Sequence, residues 1–197
     1  MKNRIIQSGR SMVEMMGYMA VVLSVTAGIG TLISNTYDEY KYSKASLQIS
    51  DLAAAIVRSS AVDADYTDVV ANVSAVNDKG RKIIPKSFRV VGTRIYHAFG
   101  GTVTVATVDD DPTKFTIRFN NLKRKQCIEL AMKEWQNNKS VDLFEIAVNS
   151  NYWYWAAYSD VGDTDNTLPV KRSIVAGSDA HTAQCRDENN VIMWVFN

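Results

Sequence analysis

The feature that most constrains this chain is an apolar run near its N-terminus. From Ser11 to Ser34 the sequence contains a single charged side chain, that of Glu14. As an α-helix this run would be about 36 Å long, which is enough to cross the hydrocarbon core of a bilayer. Lys2 and Arg4 precede the run, and basic residues at this position predict a cytoplasmic leader and an exported remainder. The sequence therefore predicts a membrane-crossing helix near the start of the chain.

The order of small and apolar residues distinguishes this segment from an ordinary secretory signal. An ordinary signal has a shorter apolar region that is followed by a small-residue cleavage site, whereas Gly9 lies before the apolar run. Glu14 is a second departure, because a carboxylate at the start of a membrane-crossing helix is costly and marks function. A plain membrane anchor and an uncleaved signal are the alternative interpretations of the segment.

The six residues from Gly9 to Glu14, GRSMVE, resemble the class III signal of type IV pilins and type II secretion pseudopilins. The resemblance implies that a membrane-embedded prepilin peptidase cuts between Gly9 and Arg10 and methylates the new N-terminus. It also implies that Glu14 pairs with the α-ammonium group of Arg10 in a neighbouring subunit, so that the apolar helices bundle in one register. Arg10 stands where the family most often has Phe or Met.

The helix is expected to continue beyond the apolar run. No proline occurs before Pro85, so the backbone permits one helix from about Ser11 to about Ser60. After the apolar run, a stripe of apolar residues at helical spacing predicts that one side of the helix packs against a globular head. The polar and charged residues Lys44, Gln48, Asp51 and Arg58 lie off that stripe. The stripe consists of Ala45, Ile49, Leu52, Ala53 and Ile56. The expected domains are a leader (1–9), a hydrophobic transmembrane and polymerisation helix (10–36), an amphipathic helix (37–60) and a globular α+β head (61–197).

The head is predicted to be rich in β-structure after a polar connecting segment, residues 61–86, with a short helix. Apolar and β-branched patterns predict a series of strands. They are 88–91, 94–99, 102–108, 115–119, 143–148, 153–158 and 191–196. Gly100 and Gly101 suit a tight hairpin, and Asn120 or Asn121 is expected to cap a helix that runs to about Gln136. The predicted fold class is α+β, with a long N-terminal helix packed on an antiparallel sheet, as in the type IV pilin fold.

Both cysteines of the chain, Cys127 and Cys185, lie in its distal half. In an exported protein an even number of widely spaced cysteines favours one disulfide bond. A zinc site would need four ligands, and only His97 and His181 could join the cysteines, without the spacing of a zinc motif. A metal site, a catalytic thiol and two free thiols are the alternatives.

Composition and motifs argue against several functional classes. The 22 basic and 21 acidic side chains nearly balance, and no basic stripe with interleaved aromatic residues indicates nucleic-acid binding. No nucleophile elbow, phosphate-binding loop, dinucleotide fingerprint or zinc-protease motif occurs, so we expect no catalytic residues, no cofactor and no metal. Asp160, Asp163, Asp165 and Asn166 could gather calcium, but their spacing favours a solvated turn.

The resemblance implies a structural subunit of a type IV, IVb-like pilus that serves adhesion, aggregation, motility or conjugation. The implied partners are further copies in a helical fibre, the prepilin peptidase, an inner-membrane assembly platform and, before assembly, the membrane itself. The implied location is the bacterial inner membrane for the precursor and then the extracellular pilus. A minor pilin, a type II secretion pseudopilin and a monomeric membrane-anchored binding module are the alternative functions.

Overall fold

The computed structural model describes residues 12–61, 63, 65–109, 111–133, 135, 142–149, 151–154, 184–186 and 188–197. The chain divides into two compact units between Tyr40 and Lys41. Helix α1 (Met12–Ser59) supplies residues to both units, which confirms the prediction of one long N-terminal helix. Within the described ranges, no helix is both long enough and apolar enough to cross a membrane.

The predicted apolar stripe of α1 forms part of the core of the second unit. All five stripe residues are fully buried and belong to one hydrophobic cluster with the sheet. Gln48 was expected off the stripe, and this prediction was wrong because Gln48 is also buried. Its Oε1 accepts a hydrogen bond from the Ala98 N–H at 2.9 Å, and its Nε2 donates to the Ser87 carbonyl at 2.7 Å. These two bonds satisfy the amide and allow its burial.

The polar segment after α1 contains two short helices, α2 (Thr67–Ala75) and α3 (Asp78–Ile83). Asn77 caps α3 by accepting a hydrogen bond from the Gly80 N–H at 2.9 Å. A Cβ at Gly80 would overlap the backbone carbonyl of Asn72 in α2. The two helices therefore pack closely at a position that only glycine fills without displacement.

Seven strands form one sheet in the described part of the chain, in the order β1-β2-β3-β4-β7-β5-β6. The strands are β1 (Arg89–Val91), β2 (Arg94–Tyr96), β3 (Thr102–Val108), β4 (Asp111–Leu122), β5 (Leu143–Val148), β6 (Asn151–Tyr154) and β7 (Asn190–Phe196). Every neighbouring pair is antiparallel. The α+β class with an antiparallel sheet is thus confirmed. The predicted strand 153–158 begins earlier, as β6, and its residues after Tyr154 lie outside the described ranges.

The sheet has an inner and an outer face, because side chains alternate along each strand. On the inner face Phe115 of β4 pairs with Phe196 of β7, and Ile117 pairs with Trp194. These four side chains are buried in the core. On the outer face Thr116 pairs with Val195, which also pairs with Glu145 of β5. A row of side chains therefore crosses the outer face from β4 through β7 to β5.

Helix α4 (Arg124–Ala131) starts later than predicted and follows β4 directly. The prediction that Asn120 or Asn121 caps the helix was wrong. β4 continues to Leu122, and Asn121 takes a positive φ of 59° at the end of that strand, a conformation that asparagine tolerates. Lys123 occupies the N-cap position, and its N–H donates to Gln126 Oε1 at 3.0 Å.

Candidate functional site

The residues predicted for processing and assembly fall at the start of the chain. Gly9 and Arg10 lie outside the described residues. Glu14 lies in α1, where its side chain is exposed. The acidic residues considered for calcium, Asp160, Asp163, Asp165 and Asn166, also lie outside the described ranges. Among the described residues, no group of three or more His, Cys, Asp or Glu side chains could hold a metal ion.

The N-terminal part of α1 presents an exposed apolar surface around Glu14. Nine large apolar side chains are exposed there: Met12, Met15, Met16, Tyr18, Met19, Val21, Val22, Leu23 and Val25. The hydroxyl groups of Ser24 and Thr26 donate to the carbonyls of Val21 and Val22, so these polar groups are satisfied within the helix. Contiguous apolar surface of this extent marks an interaction site.

A disulfide bond joins Cys127 of α4 to Cys185, which lies just before β7. The two Cα atoms are 5.8 Å apart, and both residues are fully buried. The bond predicted as part of the fold is therefore present, and the alternatives of a metal site, a catalytic thiol or free thiols do not apply to these residues. The bond fixes the segment that precedes β7 to helix α4.

A buried asparagine that the sequence analysis missed organises the chain beside this disulfide. Asn190 is fully buried, and its Nδ2 donates to the Leu122 carbonyl at 2.9 Å and to the Arg186 carbonyl at 2.7 Å. Its Oδ1 accepts from the Arg186 N–H at 2.6 Å and from Asn149 Nδ2 at 2.8 Å. One side chain therefore ties β4, β5 and the turn after Cys185 together. In the sequence this asparagine looks like an ordinary polar loop residue. No motif or periodic pattern therefore predicted its burial.

A buried histidine, His97, holds the turn between β2 and β3 against strand β4. The His97 ring stacks on Phe119 with ring centres 4.5 Å apart. Its Nδ1 accepts from the Phe99 N–H at 3.2 Å, so the neutral ring carries its proton on Nε2, which lies 2.9 Å from the Asn120 carbonyl. Burial lowers the pKa of His97 to about 4, partly offset by the Asn120 hydrogen bond. This histidine therefore has a structural role in its neutral form.

The comparisons with known proteins bear on a different part of the chain from the N-terminal resemblance. No curated protein matches the chain. The family model described as PilS N terminal matches residues 39–197. This match covers the second unit with its sheet and disulfide, whereas the signal-like sequence ends at Glu14. The chain therefore belongs to the PilS N-terminal family, which is a type IV pilin family.

Proposed function

We propose that the protein is a structural subunit of a type IV, IVb-like pilus and that its N-terminal helix drives polymerisation. A prepilin peptidase cuts between Gly9 and Arg10, and the apolar segment holds the subunit in the inner membrane before assembly. In the fibre, the α-ammonium group of Arg10 neutralises Glu14 of a neighbouring subunit, and the head faces outward on the cell surface. Pilin families are generally structural rather than enzymatic, and a surface pilus is consistent with this family.

The observation that carries the proposal is the exposed apolar surface of α1 between Met12 and Val25, attached to a head of the pilin family. Exposure of such an apolar surface to water is unfavourable, so the surface must be buried in lipid or against other apolar helices. A lone carboxylate inside such a bundle is costly unless an opposite charge reaches it. Pairing with a neighbour's N-terminus would satisfy Glu14 and would also fix the axial position of each subunit.

The first experiment determines the N-terminus and the location of the native protein. Intact mass and N-terminal sequencing are carried out on membranes and on sheared surface material, for the wild type and for a Gly9→Val variant. We expect a mature chain that starts at Arg10, is abundant in the sheared fraction and is absent from the variant. An uncut chain that stays in the membrane in both strains would contradict the proposal and support a monomeric anchored binding module.

The second experiment isolates the role of the carboxylate. Glu14→Ala is compared with Glu39→Ala, a matched control at another exposed glutamate of α1. We expect processing of both variants and loss of at least nine tenths of the sheared fibres for Glu14→Ala alone. Equal fibre yields from the two variants would refute the pairing of Glu14 with Arg10. A low abundance of the wild type in sheared fibres would instead indicate a minor pilin or a pseudopilin.

A further inference from the structure

A groove of about 570 Å³ lies on the outer face of the sheet, across β3, β4, β7 and β5. Its size is within the range of small-molecule sites. Four ionisable side chains line it, Asp109, Lys114, Arg118 and Glu145, and two threonines on the outer face, Thr104 and Thr116, add hydroxyl groups. All of these residues belong to the second unit, Lys41–Asn197.

Glu145 is the unusual member of this group. Its side chain is only 8% exposed, and its Oε1 is buried without a hydrogen-bond partner among the described residues. Burial raises the pKa of Glu145 to about 7, and the positive charge of Lys114 opposes this shift. A buried carboxyl oxygen without a donor costs stability. The fold alone therefore does not account for a glutamate at this position.

The cations near Glu145 do not satisfy it. Lys114 Nζ forms an ion pair with Asp111 at 2.8 Å and lies 4.3 Å from the centre of the Phe144 ring. Arg118 is exposed, and its Nε contacts the sulfur of Met193 at 3.2 Å. A guanidinium group has five N–H donors, so Arg118 can still donate to a ligand from the wall of the groove.

The charge distribution restricts the class of ligand that fits. An ammonium ligand at Glu145 would meet the positive charges of Lys114 and Arg118. A carboxylate or phosphate ligand would meet the negative charges of Asp109 and Glu145. A neutral ligand with several hydroxyl groups avoids both conflicts, because each hydroxyl can donate to a carboxylate and accept from a guanidinium or a threonine.

We propose that this groove binds a neutral saccharide, with the carboxyl group of Glu145 accepting a hydrogen bond from one sugar hydroxyl and Arg118 donating to another. Thr104 extends the polar wall onto β3. The proposal is independent of polymerisation, since every residue in it belongs to the head. An experiment can therefore refute saccharide binding by single subunits without refuting assembly into fibres, and the reverse also holds.

The test uses the full chain in a zwitterionic detergent without a sugar head group. Saturation-transfer NMR and titration are carried out with lactose, cellobiose and maltose, and with glucosamine and N-acetylneuraminic acid as cationic and anionic probes. We expect binding of at least one neutral disaccharide. Glu145→Leu should weaken the affinity for this disaccharide at least tenfold without lowering thermal stability. The control variant Glu129→Leu, at an exposed glutamate of α4, should leave the affinity unchanged.

Arg118→Ala is the second variant and covers the case in which Glu145→Leu does not fold. It should weaken binding of the same disaccharide at least threefold. The proposal is overturned if the wild type binds none of the neutral probes, if only the charged probes bind, or if neither variant changes the affinity. It is also overturned if Glu145→Leu abolishes fibres while no saccharide binds, because the groove would then be a contact between subunits.

Discussion

The Nδ2 atom of Asn149 donates a hydrogen bond to Oδ1 of Asn190 over 2.8 Å. This contact joins the end of β5 to the start of β7. Asn149 also has a positive φ of 49°, donates to the Gln184 carbonyl at 2.7 Å and accepts from the Val191 N–H at 2.8 Å. The two amides therefore supplement the backbone hydrogen bond from the Asn149 N–H to the Val191 carbonyl, at 3.0 Å, where the chain turns from Cys185 into the sheet.

Replacing Asn190 with alanine should destabilise the head more than most single changes. The substitution leaves the Leu122 carbonyl and the Arg186 N–H without their buried partner, and each unsatisfied group costs about 1–3 kcal/mol. We expect a loss of about 2–4 kcal/mol in the free energy of unfolding, measured by thermal unfolding followed by near-ultraviolet circular dichroism. Asn197→Ala, at an exposed position, is the control. Similar midpoints for the two variants would show that the Asn190 bonds contribute little.

Removing the disulfide should destabilise the head through the unfolded chain. The bond spans a sequence separation of 58, and closing a loop of this length stabilises a fold by about 4 kcal/mol in the chain-entropy model. A Cys127→Ala, Cys185→Ala double variant should therefore unfold at a lower temperature than the oxidised wild type. Addition of a reductant should lower the midpoint of the wild type and leave that of the double variant unchanged. A wild type that is insensitive to reductant, although its thiols are freed, would contradict this account.

The contribution of His97 to the stability of the head should be lost as the pH drops below neutrality. The pKa of this histidine is about 4 in the folded state, compared with 6.5 for an unperturbed histidine. Between these pH values the unfolded chain binds the proton and the native state does not, so protonation favours unfolding. The contribution of His97 to the free energy of unfolding is therefore complete above pH 6.5 and is lost towards pH 4. The loss is on the order of 3 kcal/mol. The unfolding midpoint of the wild type relative to that of His97→Gln should therefore fall as the pH is lowered from 7 to 4, and a constant difference between the two proteins would refute the prediction.

Glu145 should produce the opposite dependence on pH. Its pKa is about 7 in the folded state and 4.5 in the unfolded reference, so the native state holds a proton that the unfolded chain releases between these values. Stability from this group is therefore complete below pH 4.5 and is lost as the pH rises through 7. Glu145→Gln should gain about 1–2 kcal/mol relative to the wild type at pH 8, after allowance for solvent screening, and should gain nothing at pH 4. An equal effect at both pH values would show that Glu145 does not titrate in this range.

The parts of the fold that the sequence predicted well depend on periodic apolar patterns. The stripe of α1, including Ile49 and Leu52, and the alternation of Phe115, Ile117 and Phe119 are both buried as expected. The Gly100-Gly101 hairpin is also present, with Gly100 at a φ of +89°. Such patterns are local, and burial of one face follows directly from them.

The predictions that were wrong or missing concern polar groups whose partners are distant in sequence. Gln48 is buried because it bonds to Ser87 and Ala98, and Asn190 because it bonds to Leu122. The partners are distant in sequence, so no local sequence pattern around Gln48 or Asn190 indicates these hydrogen bonds. The expected helix cap at Asn121 failed for a similar reason, since pairing of Leu122 with Asn190 prolongs β4 through that position. The assembly residues were identified from a short motif and not from any property of the fold.

The position of β7 in the sheet determines when the head can fold. This strand follows the other six described strands in sequence, yet it lies between β4 and β5 and is the link between them in the described sheet. A polypeptide that ends before Asn190 could form the β1–β4 and β5–β6 portions only as separate pieces with unpaired edges, which are prone to aggregation. Sheet completion must therefore wait until residues 190–196 have emerged during synthesis or export, and loss of this seven-residue strand should disrupt the pairing of both β4 and β5.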